Sequence, residues 1–196
     1  YFFTDTEVEE FAKYAQSKNF DAGAVSDKDI QKLSKKALKL AVDGLDIALF
    51  GRMVAQAPEL NVQAASSFSH AISTHAVNNE IEFFTALDDL DTAAGHLDNL
   101  EFSSATYYRY VSLDLGQLYE SLQGEDLPKS VEAFTKALFL AIPVARQSTM
   151  SGACGWDYAK VLVRTGQRVQ LSFDKPVRAK DGFLEPSIAA LKSDLK

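Results

Sequence analysis

Three groups of side chains in this sequence have the chemistry for a reaction. His70 and His75, with Glu80 or Asp88 as a third ligand, are the donor types of a metal centre. Glu80 with Glu82, and Asp88 with Asp89, are carboxylate pairs of the kind a metal-dependent nuclease uses. Cys154, with a histidine, could act as a nucleophile. The spacing argues against all three. On an alternating strand, histidines five residues apart point to opposite faces, and no ligand motif surrounds them. The adjacent Asp88 and Asp89 diverge on an extended segment, and carboxylate pairs such as these are commonly plain solvated charge. Cys154 has no nucleophile motif around it, and the stretches GQLYESLQG and SGACG match neither a phosphate-binding loop nor a dinucleotide fingerprint. No metal, cofactor or catalytic group is expected.

The elements that must position these residues are legible in part. Thr4 and Glu7 have capping-box spacing, and Val8, Phe11 and Ala15 follow at helical intervals, which predicts a helix over 4–17. A second helix is predicted over 26–42, with Ile30, Leu33, Ala37, Leu38 and Ala41 as its apolar stripe and five lysines as a solvated face; Gly44 ends it. The short apolar run 45–53 reads as a buried strand. Phe68, His70, Ile72 and Thr74 alternate with Ser69, Ala71, Ser73 and His75, which predicts a strand over 68–75. After the turn formers Asn78 and Asn79 comes a run with Ile81, Phe83, Phe84 and Leu87; if it is extended, one phenylalanine is expected to be exposed. Strands are expected over 97–102 and 106–115. A helix over 127–142 has Val131, Phe134, Leu138 and Ile142 at core spacing and is ended by Pro143. A hairpin is expected from 158–164 and 168–173, and a last helix over 187–195.

The chain has 196 residues, 46% of them apolar, enough for a sizeable core. It holds 20 basic and 27 acidic residues, which argues against a general nucleic-acid binder. The basic residues are unevenly placed. Arg146, Lys160, Arg164, Arg168, Lys175, Arg178 and Lys180 face only Asp157 and Asp174 within 146–180, a segment compatible with a phosphate backbone or with a plain solvated surface. A single cysteine fits a reducing compartment, and with no leader or apolar span in view the expected location is cytoplasmic, away from membranes.

The runs DIALFGRM, HAISTH, EFFTALDDL and GHLDNLEFSSATYYRY, in that order, and AKDGFLEPSIAAL near the end resemble the CasC-type backbone subunit of the type I-E CRISPR Cascade complex. The resemblance spans most of the chain from about Val42 onward and is weaker over 116–175. It implies an α+β fold: a modified RNA-recognition-motif (ferredoxin-like) palm over 45–196, with a thumb-like excursion at about 54–95 and a helical insertion over 1–44. Family members carry a strand and a basic segment ahead of the matched part. Nothing in residues 1–40 looks like either, so a fragment lacking the N-terminal part is expected.

The function implied is non-catalytic. Copies would self-associate into a helical filament along a CRISPR guide RNA and hold its spacer in kinked segments for pairing with target DNA, beside the other Cascade subunits. Met53 and Phe84 match positions at which the family sets apolar side chains against a kinked or flipped nucleotide, and Thr85 lies beside them. Arg52, the only Lys or Arg within 45–90, is a candidate to hold an adjacent phosphate. Tyr107, Tyr108 and Tyr110 form a second set of stacking candidates. Two other readings stand beside this one: a protein-only adaptor, and a metal-dependent nuclease using Asp88, Asp89, Glu80 and a histidine.

Overall fold

The structure is a computed structural model that describes residues 2–40, 44–55, 57–86, 96–141 and 154–195. Helix α1 (Asp5–Ser17) begins at Thr4, whose hydroxyl accepts from the Glu7 amide while the Glu7 carboxylate accepts from the Thr4 amide, the reciprocal pair that its spacing predicts. Helix α2 (Asp27–Leu40) lies against it. Tyr14 donates to Asp29 at 3.4 Å, and Lys36 meets Glu10 at 3.0 Å.

Residues 45–50 are helical, not extended: α3 (Leu45–Phe50) buries Ile47, Ala48 and Leu49 in succession. Periodicity cannot separate a short apolar run in a strand from one in a helix packed on several sides. Gly44 caps the start of α3, and a Cβ there would lie 2.6 Å from Thr4 Cγ2, so only glycine lets the two helix starts approach this closely. Ala48 and Leu49 join Ala65, Leu118, Leu122 and Phe134 in the core, with Leu113, Val131 and Leu138 packed around them. Two further helices supply that core, α4 (Leu115–Ser121) and α5 (Leu127–Leu140). Helix α5 follows its predicted stripe as far as Leu138; Ile142 and Pro143 lie outside the described residues.

The described strands form three two-stranded ladders. Strand β1 (Ser66–Phe68) pairs with β6 (Val111–Leu113), and β2 (Ile72–Ser73) pairs antiparallel with β5 (Tyr107–Tyr108). Strands β3 (Glu80–Ala86) and β4 (His96–Phe102) make a seven-residue antiparallel hairpin. The strands expected over 68–75 and 106–115 are therefore interrupted. The Tyr110 amide donates to Ser69 Oγ rather than to a main-chain carbonyl, so a side chain takes a place in the ladder. From Leu115 the chain turns helical, with the Asp114 carboxylate accepting from the Gln117 amide as its cap.

Residues 158–173 carry no strand, against the predicted hairpin. High β-propensity makes a strand only where a ladder partner is present. Val161 and Val163 are exposed, and the segment is tethered by the Tyr108 hydroxyl, which accepts from the Leu171 amide at 3.3 Å, and by the Tyr108–Phe173 ring contact. Helix α6 (Leu184–Asp194) starts three residues earlier than Pro186 predicts.

Helices and small antiparallel ladders make this an α+β fold. The chain divides into two compact units, Tyr1–Ser67 with Val111–Lys160, and Phe68–Tyr110 with Val161–Lys196. Among the described residues no helix is long and apolar enough to cross a membrane.

Candidate nucleic-acid interface

In the first unit, the loop after α3 is braced from both sides. Gly51 turns the chain at φ +77° and ψ 170°, a conformation that side chains essentially exclude. Arg52 and Val62 then exchange two main-chain hydrogen bonds of 2.9 Å, and the Val54 amide donates to Asn61 Oδ1 at 2.6 Å. Neighbouring residues on an extended segment face opposite ways. The Arg52 side chain turns inward and is 3% exposed, whereas Met53 turns outward and is 86% exposed.

The guanidinium of Arg52 is fully committed. It meets both Glu7 carboxylate oxygens, at 2.7 and 2.8 Å, and the Glu7 side chain is 0% exposed. It also donates to the Phe2 carbonyl at 2.9 Å and, from Nε, to the Leu60 carbonyl at 2.8 Å. The Phe3 ring lies 5.8 Å from it. Arg52 therefore faces a carboxylate and two carbonyls, not solvent. Glu7 is the residue that sequence reasoning missed, because its capping-box role already accounted for a glutamate three residues after Thr4.

In the second unit, the β3–β4 register places Ile81, Phe83 and Thr85 on one face with Leu97, Asn99 and Glu101. All six are exposed, Phe83 at 71% and Leu97 at 73%. Phe84 shares the other face with Glu80, Glu82, Asp98 and the half-buried Leu100, and is 41% exposed. Both phenylalanines meet solvent where one was expected. The hairpin carries Glu80, Glu82, Asp98 and Glu101 and no Lys or Arg. Such a surface repels phosphates while offering apolar faces to a base or a protein.

The chain leading to this hairpin is held at its root. Thr74 Oγ1 bonds Ser187 Oγ at 2.7 Å, the Val177 amide donates to the Thr74 carbonyl, and the His75 ring stacks on Phe183 at 3.7 Å. The Thr106 amide donates to His75 Nε2, so the ring proton sits on Nδ1 and is given to the Ala76 carbonyl. His75 is thus a packed structural group, while His70 is exposed. Among the described residues no three His, Cys, Asp or Glu side chains are placed to hold a metal; Asp88 and Asp89 lie outside those residues. Cys154 is exposed and carries no disulfide. Tyr108 packs on Phe173 and Tyr110 is half-buried, which leaves Tyr107 as the exposed member of its set.

Among solved structures, the chain is similar to a chain of a CRISPR RNA-guided surveillance complex in a pre-nicking state. The TM-score is 0.59 and the identity 26%, covering 76% of this chain and 43% of that one. A second chain, also from a CRISPR RNA-guided surveillance complex, matches in fold with a TM-score of 0.60 at 24% identity, covering 87% of this chain and 68% of the other. The protein thus spans less than half the length of the first of these relatives. No curated protein matches the sequence. The sequence profile of the CT1975-like proteins (Cas_CT1975) matches residues 1–196 throughout, and the chain belongs to that family.

Proposed function

We propose that this CRISPR-associated chain is a non-catalytic guide-RNA-binding backbone subunit of a Cascade-type surveillance complex. Copies assemble head to tail along the guide and present its spacer to target DNA. In this reading Met53 on the braced loop and Phe84 on the β3–β4 hairpin each cover a base turned out of its stack, while Thr85, next in sequence, faces the other side of the hairpin. The palm keeps the RNA-recognition-motif plan, with the excursion over 54–95 as its thumb and residues 1–44 as the helical insertion. The observation that carries the reading is Met53, a large apolar side chain 86% exposed on a loop whose neighbouring residue is locked in a buried ion pair. A flexible thioether or an aromatic ring covers any base, so contact is made without reading sequence, which the guide itself supplies. Arg52 enters as a brace for the loop and leaves phosphate contact to the basic residues beyond Lys160.

The test is made on the full-length protein co-expressed with a guide transcript. Met53→Ala and Phe84→Ala should each weaken guide binding about tenfold, as expected from about 1–3 kcal/mol per stacked base. Each should also open nuclease-sensitive positions at regular intervals along the spacer. An unchanged footprint in both variants would refute the stacking role.

A second reading rests on the acidic hairpin. Four carboxylates beside exposed Ile81, Phe83 and Leu97 suit a basic protein surface better than RNA. Assembly with a protein partner that persists after ribonuclease treatment, with no RNA retained, would favour that adaptor reading.

A further inference from the structure

The first turn of α1 touches both ends of α3. At the start of α3, Thr4 lies so close to Gly44 that a Cβ there would come within 2.6 Å of Thr4 Cγ2. Just past its end, Glu7 holds Arg52 with two hydrogen bonds, and Arg52 ties back to Leu60 on the returning arm of the loop. Glu7 does two jobs with one carboxylate: it accepts from the Thr4 amide at 2.9 Å, which closes the cap of its own helix, and it neutralises the guanidinium. A two-pronged carboxylate–guanidinium pair fixes orientation as well as distance. With the Arg52 side chain held inward, the next side chain on the extended segment is turned outward, and that residue is Met53.

We infer that Glu7 is a positioning residue for the nucleic-acid contact made by Met53, acting through Arg52. Helix α1, within the helical insertion, is then a functional part of the interface. The inference rests on the reading of Met53 given above. It predicts that loss of the Glu7 charge lets Arg52 reorient, frees the Met53 loop and weakens guide binding, although Glu7 never meets RNA.

The experiment is a double-mutant cycle on the full-length protein, with Glu7→Gln, Met53→Ala and the two combined. Binding to a single-stranded guide RNA is measured over a range of salt, and thermal unfolding is recorded for each protein. Glutamine keeps the shape of the side chain and can still accept from the Thr4 amide, so the helix start is retained. Each single variant should bind about tenfold more weakly, and the pair no more than about twofold below either single, because a misplaced contact cannot be lost twice. The salt slope should stay unchanged, whereas loss of a phosphate contact lowers it by about one. The stability loss of Glu7→Gln should persist in the Met53→Ala background, which separates positioning from folding. If Glu7→Gln is too unstable to assay, Arg52→Lys replaces it, keeping a cation without the fork. Multiplied losses in the double variant, a changed salt slope or wild-type binding by Glu7→Gln would overturn the positioning role alone. Wild-type binding by Met53→Ala would overturn the Met53 contact and the positioning role with it.

Discussion

Replacing Arg52 with methionine tests the brace directly. The substitution keeps much of the side-chain volume and removes the contacts to Glu7, Phe2 and Leu60. It leaves the Glu7 carboxylate in a site where its side chain is 0% exposed, with the Thr4 amide as a remaining hydrogen-bond donor. Breaking a buried pair from one side costs about 3–5 kcal/mol, because the abandoned charge has lost both water and partner. For a chain of this size each kcal/mol shifts the unfolding midpoint by about 2–4 °C, so the variant should melt roughly 6–20 °C below the parent.

The decisive comparison is Glu7→Gln combined with Arg52→Met. If most of the loss comes from the stranded charge, a neutral amide at position 7 should return at least about a third of it, since a buried pair replaced on both sides is often near neutral. The assay is thermal unfolding by circular dichroism, with urea midpoints to confirm that the slope of the transition is unchanged. A double variant as unstable as Arg52→Met, or less stable, would refute the argument and would mean that the carbonyl contacts of Arg52 hold the loop without Glu7.

Gly51→Ala places a Cβ 3.0 Å from both the Ala64 amide nitrogen and the Val62 carbonyl oxygen, at φ +77°. It should lower stability by about 1–3 kcal/mol, read as a shift in urea midpoint, and a neutral result would mean that the loop turns elsewhere. The pH dependence has its own reporter in Glu10. The hydrogen bond from Lys36, then that from Lys13, holds its carboxyl below the ordinary value of 4.5. A carboxyl depressed in the folded state stabilises the fold fully above its unfolded value and loses that contribution as the pH falls through the lower folded one. Glu10→Gln should therefore be less stable than the parent near neutral pH and equal to it in strong acid, and a gap that widens on acidification would contradict the assignment.

What was legible in the sequence follows from how local each signal is. The capping box of α1 and the core stripe of α5 depend on residues three or four apart, and both were readable. The strand expected over 97–102 forms as β4, although its apolar residues Leu97, Leu100 and Phe102 do not alternate strictly. The run Leu45–Phe50 is short, apolar and buried, so strand and helix explain it equally well until packing decides. Helix α4 hid behind the alternation of the preceding strand residues and behind Gly116, although the Asp114 cap three residues before Gln117 was a usable sign. The segment 158–173 had the composition of a hairpin, and composition carries no information about a missing ladder partner.

The candidate site was harder to read for the same reason. Met53 and Phe84 could be named only through resemblance to a family, and on composition alone each is as good a core residue as any. Arg52 beside Met53 looked like a cation and an apolar group offered on one surface. The structure separates them by the simplest rule of extended chain, one in and one out, and the one turned in is the charged residue. Its partner lies 45 residues away in sequence, where no local pattern reaches. The arrangement runs against stability twice, since burying an ion pair gains little over an apolar pair and exposing a thioether gains nothing. A loop that accepts both, and is then held by a glycine-only turn and five hydrogen bonds to the Arg52 side chain and the Val54 amide, has a conformation specified for something outside the fold.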